Sequence, residues 1–212
     1  MKKILTLVSI AFIGLTAKAQ DTNQGLKGTW FATSQFGYQQ TKTGDVKNTN
    51  LSVLPIVGTF VTPSVAVGAG FGIINIKADA KAGTVAKTDL LVIQPLARKY
   101  WNVAGSLYFF GQVAAPIITG KEKESDLKIS QYGLSVSGGF DYFISKNFSV
   151  EFSYDLANFT STTLDPKNGE KTTVTNFGLA HVANVDPFYN TALAGSRPNL
   201  TSPLSFGFKF LF

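Results

Sequence analysis

The run FSVEFSYDL, Phe148 to Leu156, alternates at every step. Phe148, Val150, Phe152, Tyr154 and Leu156 take one side, and Ser149, Glu151, Ser153 and Asp155 take the other. A period of two residues is the signature of a β-strand with one apolar and one polar face. Two carboxylates lie between rows of aromatics, so the fold turns on which face meets solvent.

The pattern recurs along the chain. KGTWFATSQFGYQQ sets Trp30, Ala32, Phe36 and Tyr38 against Thr29, Thr33, Gln35 and Gln39. Between Lys47 and Lys77 no residue is charged, a length that could pass for a membrane helix. Pro55, Pro63, four glycines and many β-branched residues favour two strands instead, about 50–60 and 65–77, turned at Val61–Ser64. On the second, Val65, Val67, Ala69, Phe71 and Ile73 oppose Ala66, Gly68, Gly70 and Gly72. Further strands follow in DLLVIQPLARKYW, SLYFFGQVAAPI, KISQYGLSVSGGFDYF and LSFGFKFLF, which makes eight.

Connections alternate in expected length. Short ones fall at Val61–Ser64, Asn102–Gly105 and Ile144–Asn147, and long ones near 41–49, 78–87, 119–127 and 157–198. This rhythm suits an up-and-down sheet with all its short turns at one end. The polar face is rich in Gly, Ser, Thr and Gln, as befits a narrow interior. Aromatics gather near strand ends (Trp30, Tyr100, Trp101, Tyr142, Phe148, Phe210 and Phe212), where membrane-interface girdles sit. A membrane strand needs ~9–11 residues, so eight strands leave room for loops and sixteen would not. The fold expected is all-β: an eight-stranded antiparallel up-and-down transmembrane β-barrel, closed so that no edge faces lipid.

The first 19 residues read as an export signal: Lys2 and Lys3, an apolar Ile4–Leu15 core, then Ala17-Lys18-Ala19 as the cleavage site. Residues 20–212 form the barrel domain. Removing Lys2, Lys3 and Lys18 leaves 16 basic against 13 acidic residues, too small an excess to argue for nucleic acid. Cysteine is absent, which excludes disulfides, thiolate metal sites and a lipidated N-terminus.

From these residues the chain resembles small outer-membrane β-barrel proteins of the OmpA/OmpX/OmpW-like type. LSVLPIVGTFVTPSVAVGAGFGI resembles a hairpin of that family. QPLARKYW is similar to its Pro-aromatic-x-Arg-Tyr-Tyr strand at Pro95, Arg98 and Tyr100, with Leu96 and Lys99 where aromatics are usual. GGFDYFISKNFSVEFSY resembles its third short hairpin. LSFGFKFLF is similar to the C-terminal signal read by the outer-membrane assembly machinery, through Phe206, Phe208, Phe210 and Phe212. The resemblance implies the outer membrane of a Gram-negative cell, contact with outer-membrane lipid and lipopolysaccharide, and a monomer. It implies little about activity.

Five charges share the polar faces: Arg98, Asp141, Glu151, Asp155 and Lys209. All but Asp155 lie a few residues from a short turn, at similar expected depth. Two acids and two bases in a narrow interior should pair, and Asp155 joins from further in. A salt-bridged plug is favoured over an ion path, because eight strands leave an interior barely wide enough for side chains.

Nothing points to an enzyme or a cofactor. His181, the one histidine, shares its loop with Asp186 and Ser196, an association any polar loop produces by chance. Gly68, Gly70 and Gly72 precede no helix and read as lumen glycines. The mixed run of Lys121, Glu122, Lys123, Glu124 and Asp126 reads as a solvated loop tip. The segment with Phe177, Leu179, Val182, Phe188, Tyr189 and Leu193 is apolar enough to fold over the barrel mouth, with a short helix expected near Pro187–Ala194. The function expected is structural, or surface contact with an unidentified extracellular ligand. The alternatives are a narrow channel for ions or small apolar solutes and a secreted soluble ligand-binding barrel.

Overall fold

A computed structural model describes residues 25–80, 83–179 and 204–212 of the 212. Within them the alternating runs pair as ten antiparallel strands: β1 (Trp30–Thr43), β2 (Val46–Phe60), β3 (Val65–Ala80), β4 (Gly83–Ala104), β5 (Leu107–Ala114), β6 (Ile117–Glu122), β7 (Lys128–Ser145), β8 (Phe148–Asp165), β9 (Thr172–Leu179) and β10 (Leu204–Leu211). Two pairs of these are single barrel staves. β5 and β6 both lie between β4 and β7 in an unchanged register, interrupted at Ala115–Pro116, where proline has no N–H to give. β10 and β9 both pair with β8, along Phe148–Tyr154 and Ala157–Leu164 respectively. The sheet therefore has eight staves, and β1 closes it against β10 through Phe31↔Leu211, Ala32↔Phe210 and Thr33↔Lys209.

The outer surface carries the apolar faces. Trp30, Phe36, Phe71, Leu91, Trp101, Tyr132, Phe140, Phe152, Phe206, Phe208 and Phe210 are all exposed, Phe36 at 70%. A soluble monomer does not present so continuous an apolar band. On β3 the band runs from Val65 to Ile73, nine residues. At ~3.3 Å per residue and a tilt of ~40° these rise about 23 Å, the height of the apolar band on a membrane barrel. This surface overturns the soluble reading.

The strands run well beyond the band. β1 and β2 stay paired from Trp30↔Thr59 to Thr43↔Val46, so only Gly44 and Asp45 turn where a longer loop was expected. Gly44 has a positive φ of 59°, which a two-residue turn with glycine first requires. β3 and β4 pair as far as Ala80↔Gly83, and β7 and β8 as far as Lys128↔Asp165. The expected loops at 41–49, 78–87 and the start of 157–198 are thus paired strand, since their Thr, Val and Asn residues continue the ladder in water. The export signal, His181, Asp186, Ser196 and the expected helix at Pro187–Ala194 lie outside the described residues.

Alternation on β8 slips once. Ser137 pairs with Asp155 and Val136 with Ala157, leaving Leu156 as an unpaired bulge residue. Below it Glu151 and Asp155 face inward. Above it the parity reverses, so Asn158, Thr160 and Thr162 face inward and Phe159 faces out.

Candidate functional site

The interior has two unlike walls. From β2, β3, β4 and β6 come Leu54, Ile74, Leu90, Val92, Leu96 and Ile118, all buried in one cluster. The interior expected from sequence, rich in Gly, Ser, Thr and Gln, is not what this wall presents. From β7 and β8 come Gln131, Ser135, Ser137, Ser153, Asn158, Thr160 and Thr162, most of them half-buried. Thr162 Oγ donates to Gln131 Oε1 at 3.0 Å, and Gln112 Nε2 to Ser137 Oγ at 3.4 Å.

Inward glycines accept the large side chains of the apolar wall and of the strands beside it. A Cβ on Gly58 would lie 2.4 Å from the Phe31 ring, and one on Gly72 would lie 2.2 Å from Val53 O and 2.9 Å from Leu54. Gly120 sits likewise beneath Leu90, and Gly139 beneath Phe110. Of the lumen glycines read from sequence, Gly70 and Gly72 are sockets for neighbouring side chains, whereas a Cβ on Gly68 would meet the backbone of β2 at Val57 and Gly58.

Towards the short-turn end the walls are tied by charge. Arg98 on β4 reaches across the barrel to Glu151 on β8, Nη1 to Oε2 at 2.6 Å and Nη2 to Oε1 at 3.4 Å. Its Nε and Nη2 also donate to Gln112 Oε1 at 3.0 and 2.7 Å, and its guanidinium lies 4.1 Å from the centre of the Phe110 ring. Lys209 on β10 pairs with Asp141 on β7 and lies 3.6 Å from Glu151 Oε2. Tyr100 Oη accepts from both cations, at 3.2 Å from Arg98 and 3.0 Å from Lys209. Arg98, Glu151, Lys209 and Asp141 thus form one neutral cluster of two acids and two bases. Asp155 faces inward two positions further along β8, at the Ser137 register.

Beneath this layer lies an aromatic floor. The Tyr100 ring meets Phe60, Tyr108 and Phe110 with centroids 5.2, 6.5 and 5.8 Å away; Tyr108 meets Phe143, and Phe60 meets Phe31. Leu26, in the turn before β1, closes on the same cluster. Tyr100 was assigned from sequence to the outer girdle, but it points inward and is buried. It has the same parity as Arg98 two residues earlier, and that signal places it. Of the other girdle residues, Trp30, Trp101, Tyr142 and Phe210 are exposed on the outer face, and Phe148 and Phe212 are half-buried.

Burial deepens down the lumen. The polar wall is partly accessible, Glu151 is 13% exposed, and Lys209 and Asp141 are both at 0%. Each of these last two answers the other's charge, without which burial would be costly. Among the described residues no three His, Cys, Asp or Glu side chains converge to hold a metal ion. Phe206, Phe208 and Phe210 stand on the outer face of β10, clear of the lumen.

A closed eight-stave antiparallel sheet with its apolar faces outside settles the fold class. The chain is an eight-stranded transmembrane β-barrel. No known family model matches the chain, and no curated protein matches it. Among solved structures it is similar to the outer membrane protein OprG from Pseudomonas aeruginosa, at 13% identity and a TM-score of 0.49, covering 91% of this chain and 99% of that one. It is also similar to the Escherichia coli outer membrane protein W, at 15% identity and a TM-score of 0.45, covering 89% and 99%.

Proposed function

We propose that this barrel is a non-enzymatic protein of the Gram-negative outer membrane, closed to through-flow, with a structural or surface-contact role. The carrying observation is the cross-lumen cluster: Arg98 and Lys209 meet Glu151 and Asp141 over the Tyr100 floor, with the deepest pair fully buried. Such a layer fills the width eight strands leave, and inward charges also hold the strands in register. Export would follow the N-terminal signal. The Phe206, Phe208, Phe210 and Phe212 row would present the last strand to the assembly machinery, and the projecting hairpins would meet the extracellular ligand.

Conductance in planar bilayers tests the closure. The native barrel should give no steady single-channel current, and Arg98→Ala combined with Glu151→Gln should give measurable openings. A native barrel that conducts steadily would favour the narrow channel instead. Stability and conductance both unchanged in the double variant would remove the plug.

A further inference from the structure

The outer wall carries a repeated arrangement that membrane insertion alone does not require. In three hairpins a lysine stands directly opposite a lysine: Lys42↔Lys47 between β1 and β2, Lys77↔Lys87 between β3 and β4, and Lys121↔Lys128 between β6 and β7. All six have the parity of the outward apolar row of their strand. Each stands two outward positions above the last apolar residue. The steps are Tyr38–Gln40–Lys42, Leu51–Thr49–Lys47, Ile73–Asn75–Lys77, Leu91–Asp89–Lys87, Ile117–Thr119–Lys121 and Tyr132–Ser130–Lys128. The lysines therefore form a collar at one height on six adjoining staves. Four residues of tilted strand put that collar about 10 Å above the hydrocarbon edge, at the level of lipid headgroups.

Like charges directly opposed across a ladder are destabilising. Acids offset them in part: Asp79, Asp89 and Asp165 stand opposite Lys47, Lys121 and Lys128 on the neighbouring ladders, Lys77 pairs with Asp79 at 2.9 Å and Lys121 with Asp126 at 3.7 Å, and Asp89 is also engaged by Lys123 at 2.6 Å. These pairs are largely exposed and hold little stability. On the fourth hairpin the corresponding rows are Phe159–Ser161–Thr163 and Phe177–Thr175–Thr173, without lysine. The collar is thus one-sided. An anion on the headgroup plane bridging each opposed pair would turn the repulsion into attraction, and multiply phosphorylated lipid supplies such anions at that height.

We propose that Lys42, Lys47, Lys77, Lys87, Lys121 and Lys128 form a binding collar for the phosphate groups of an outer-leaflet glycolipid. The inference rests on the membrane-barrel reading, and it assigns lipopolysaccharide contact to six named side chains and one side of the barrel. A phosphate sits between the two ammonium groups of a hairpin, and the stems lie along the wall with the charges in the headgroup layer.

The test compares the full mature chain in nanodiscs holding phosphorylated lipopolysaccharide with nanodiscs holding the same lipid after dephosphorylation. The readout is the temperature at which the fast-migrating unboiled gel band is lost. A ligand bound only by the folded state raises that temperature. The phosphorylated lipid should raise it by about 5 °C or more over the dephosphorylated one. The six-fold Lys→Gln variant should lose this difference, each single-hairpin pair should lose part of it, and Lys167→Gln with Lys171→Gln in the fourth hairpin should keep it. Equal temperatures in the two lipids, or an undiminished difference in the six-fold variant, would overturn the collar. So would an equal rise with inorganic phosphate in neutral detergent, which would mark a free-anion site. Absence of any fast-migrating band from the native protein in both lipids would sink the barrel reading itself, and the collar with it.

Discussion

The two walls of the lumen solve the same packing problem by opposite chemistry. On β2, β3 and β4, Leu54, Ile74 and Val92 are each at 0% exposure and meet no solvent. On β7 and β8, Ser135, Ser153 and Asn158 remain half-buried and accessible. One wall behaves as half of a soluble protein's core, rolled so that its outer face meets lipid. The other is lined by small polar side chains with little to bury. Neither would close the barrel alone. The tie between them is ionic: Arg98 comes from the apolar wall, both acids come from the polar wall, and Lys209 comes from the stave beside the closing seam. Charge sits where the two chemistries meet, low in the barrel and over the aromatic floor.

The largest effect should come from cutting that tie. Lys209→Met keeps volume but leaves Asp141, already at 0% exposure with Oδ1 lacking a hydrogen-bond partner, without its counter-charge. Removing one partner of a buried pair costs about 3–5 kcal/mol, so urea unfolding in lipid vesicles should show a loss of that order. Adding Asp141→Leu should recover most of it, because an apolar pair of similar size is close to neutral there. No recovery would mean that the charges matter for more than answering one another.

A smaller contrast separates the walls themselves. Leu54→Ala empties a packed site and should cost about 2–5 kcal/mol. Ser135→Ala on the facing wall should stay within ~0.5 kcal/mol, as for other accessible positions. Equal losses measured by the same urea titration would erase the distinction between the walls.

The outer face was legible in sequence because lipid contact demands apolar residues at every second position, as in Phe148–Tyr154 and Phe206–Phe210. The ion cluster was legible for the same reason, since a lone charge at the opposite parity of an apolar strand has only the lumen to occupy. The apolar wall was hidden. LSVLPIVG is apolar at both parities, so alternation cannot report that Leu54 and Ile56 line the interior. Tyr100 was misplaced because its closeness to a strand end was weighed above its parity. The hairpins beyond the band escaped because above the membrane both faces are polar, and period-two patterning disappears while pairing continues.

The bulge at Leu156 offers the smallest expected effect and the sharpest comparison within one strand. Its neighbours Asp155 and Ala157 pair with the consecutive residues Ser137 and Val136. The change of partner from β10 to β9 falls at the same place, between Tyr154↔Leu204 and Ala157↔Leu179. Deleting Leu156 joins two ladders that are already in register, so no side chain changes face. The barrel should still form its fast-migrating band, with a stability change of about 1 kcal/mol or less. Deleting Val150 removes the same amount of chain, yet a one-residue slip there turns Ser149 outward and Phe148 inward or carries Glu151 away from Arg98. That variant should give no folded band. If the Leu156 deletion fails as completely as the Val150 deletion, the bulge is no spare residue. Its added twist would then be what aims Asp155 into the lumen and lets the two halves of the eighth stave meet β8.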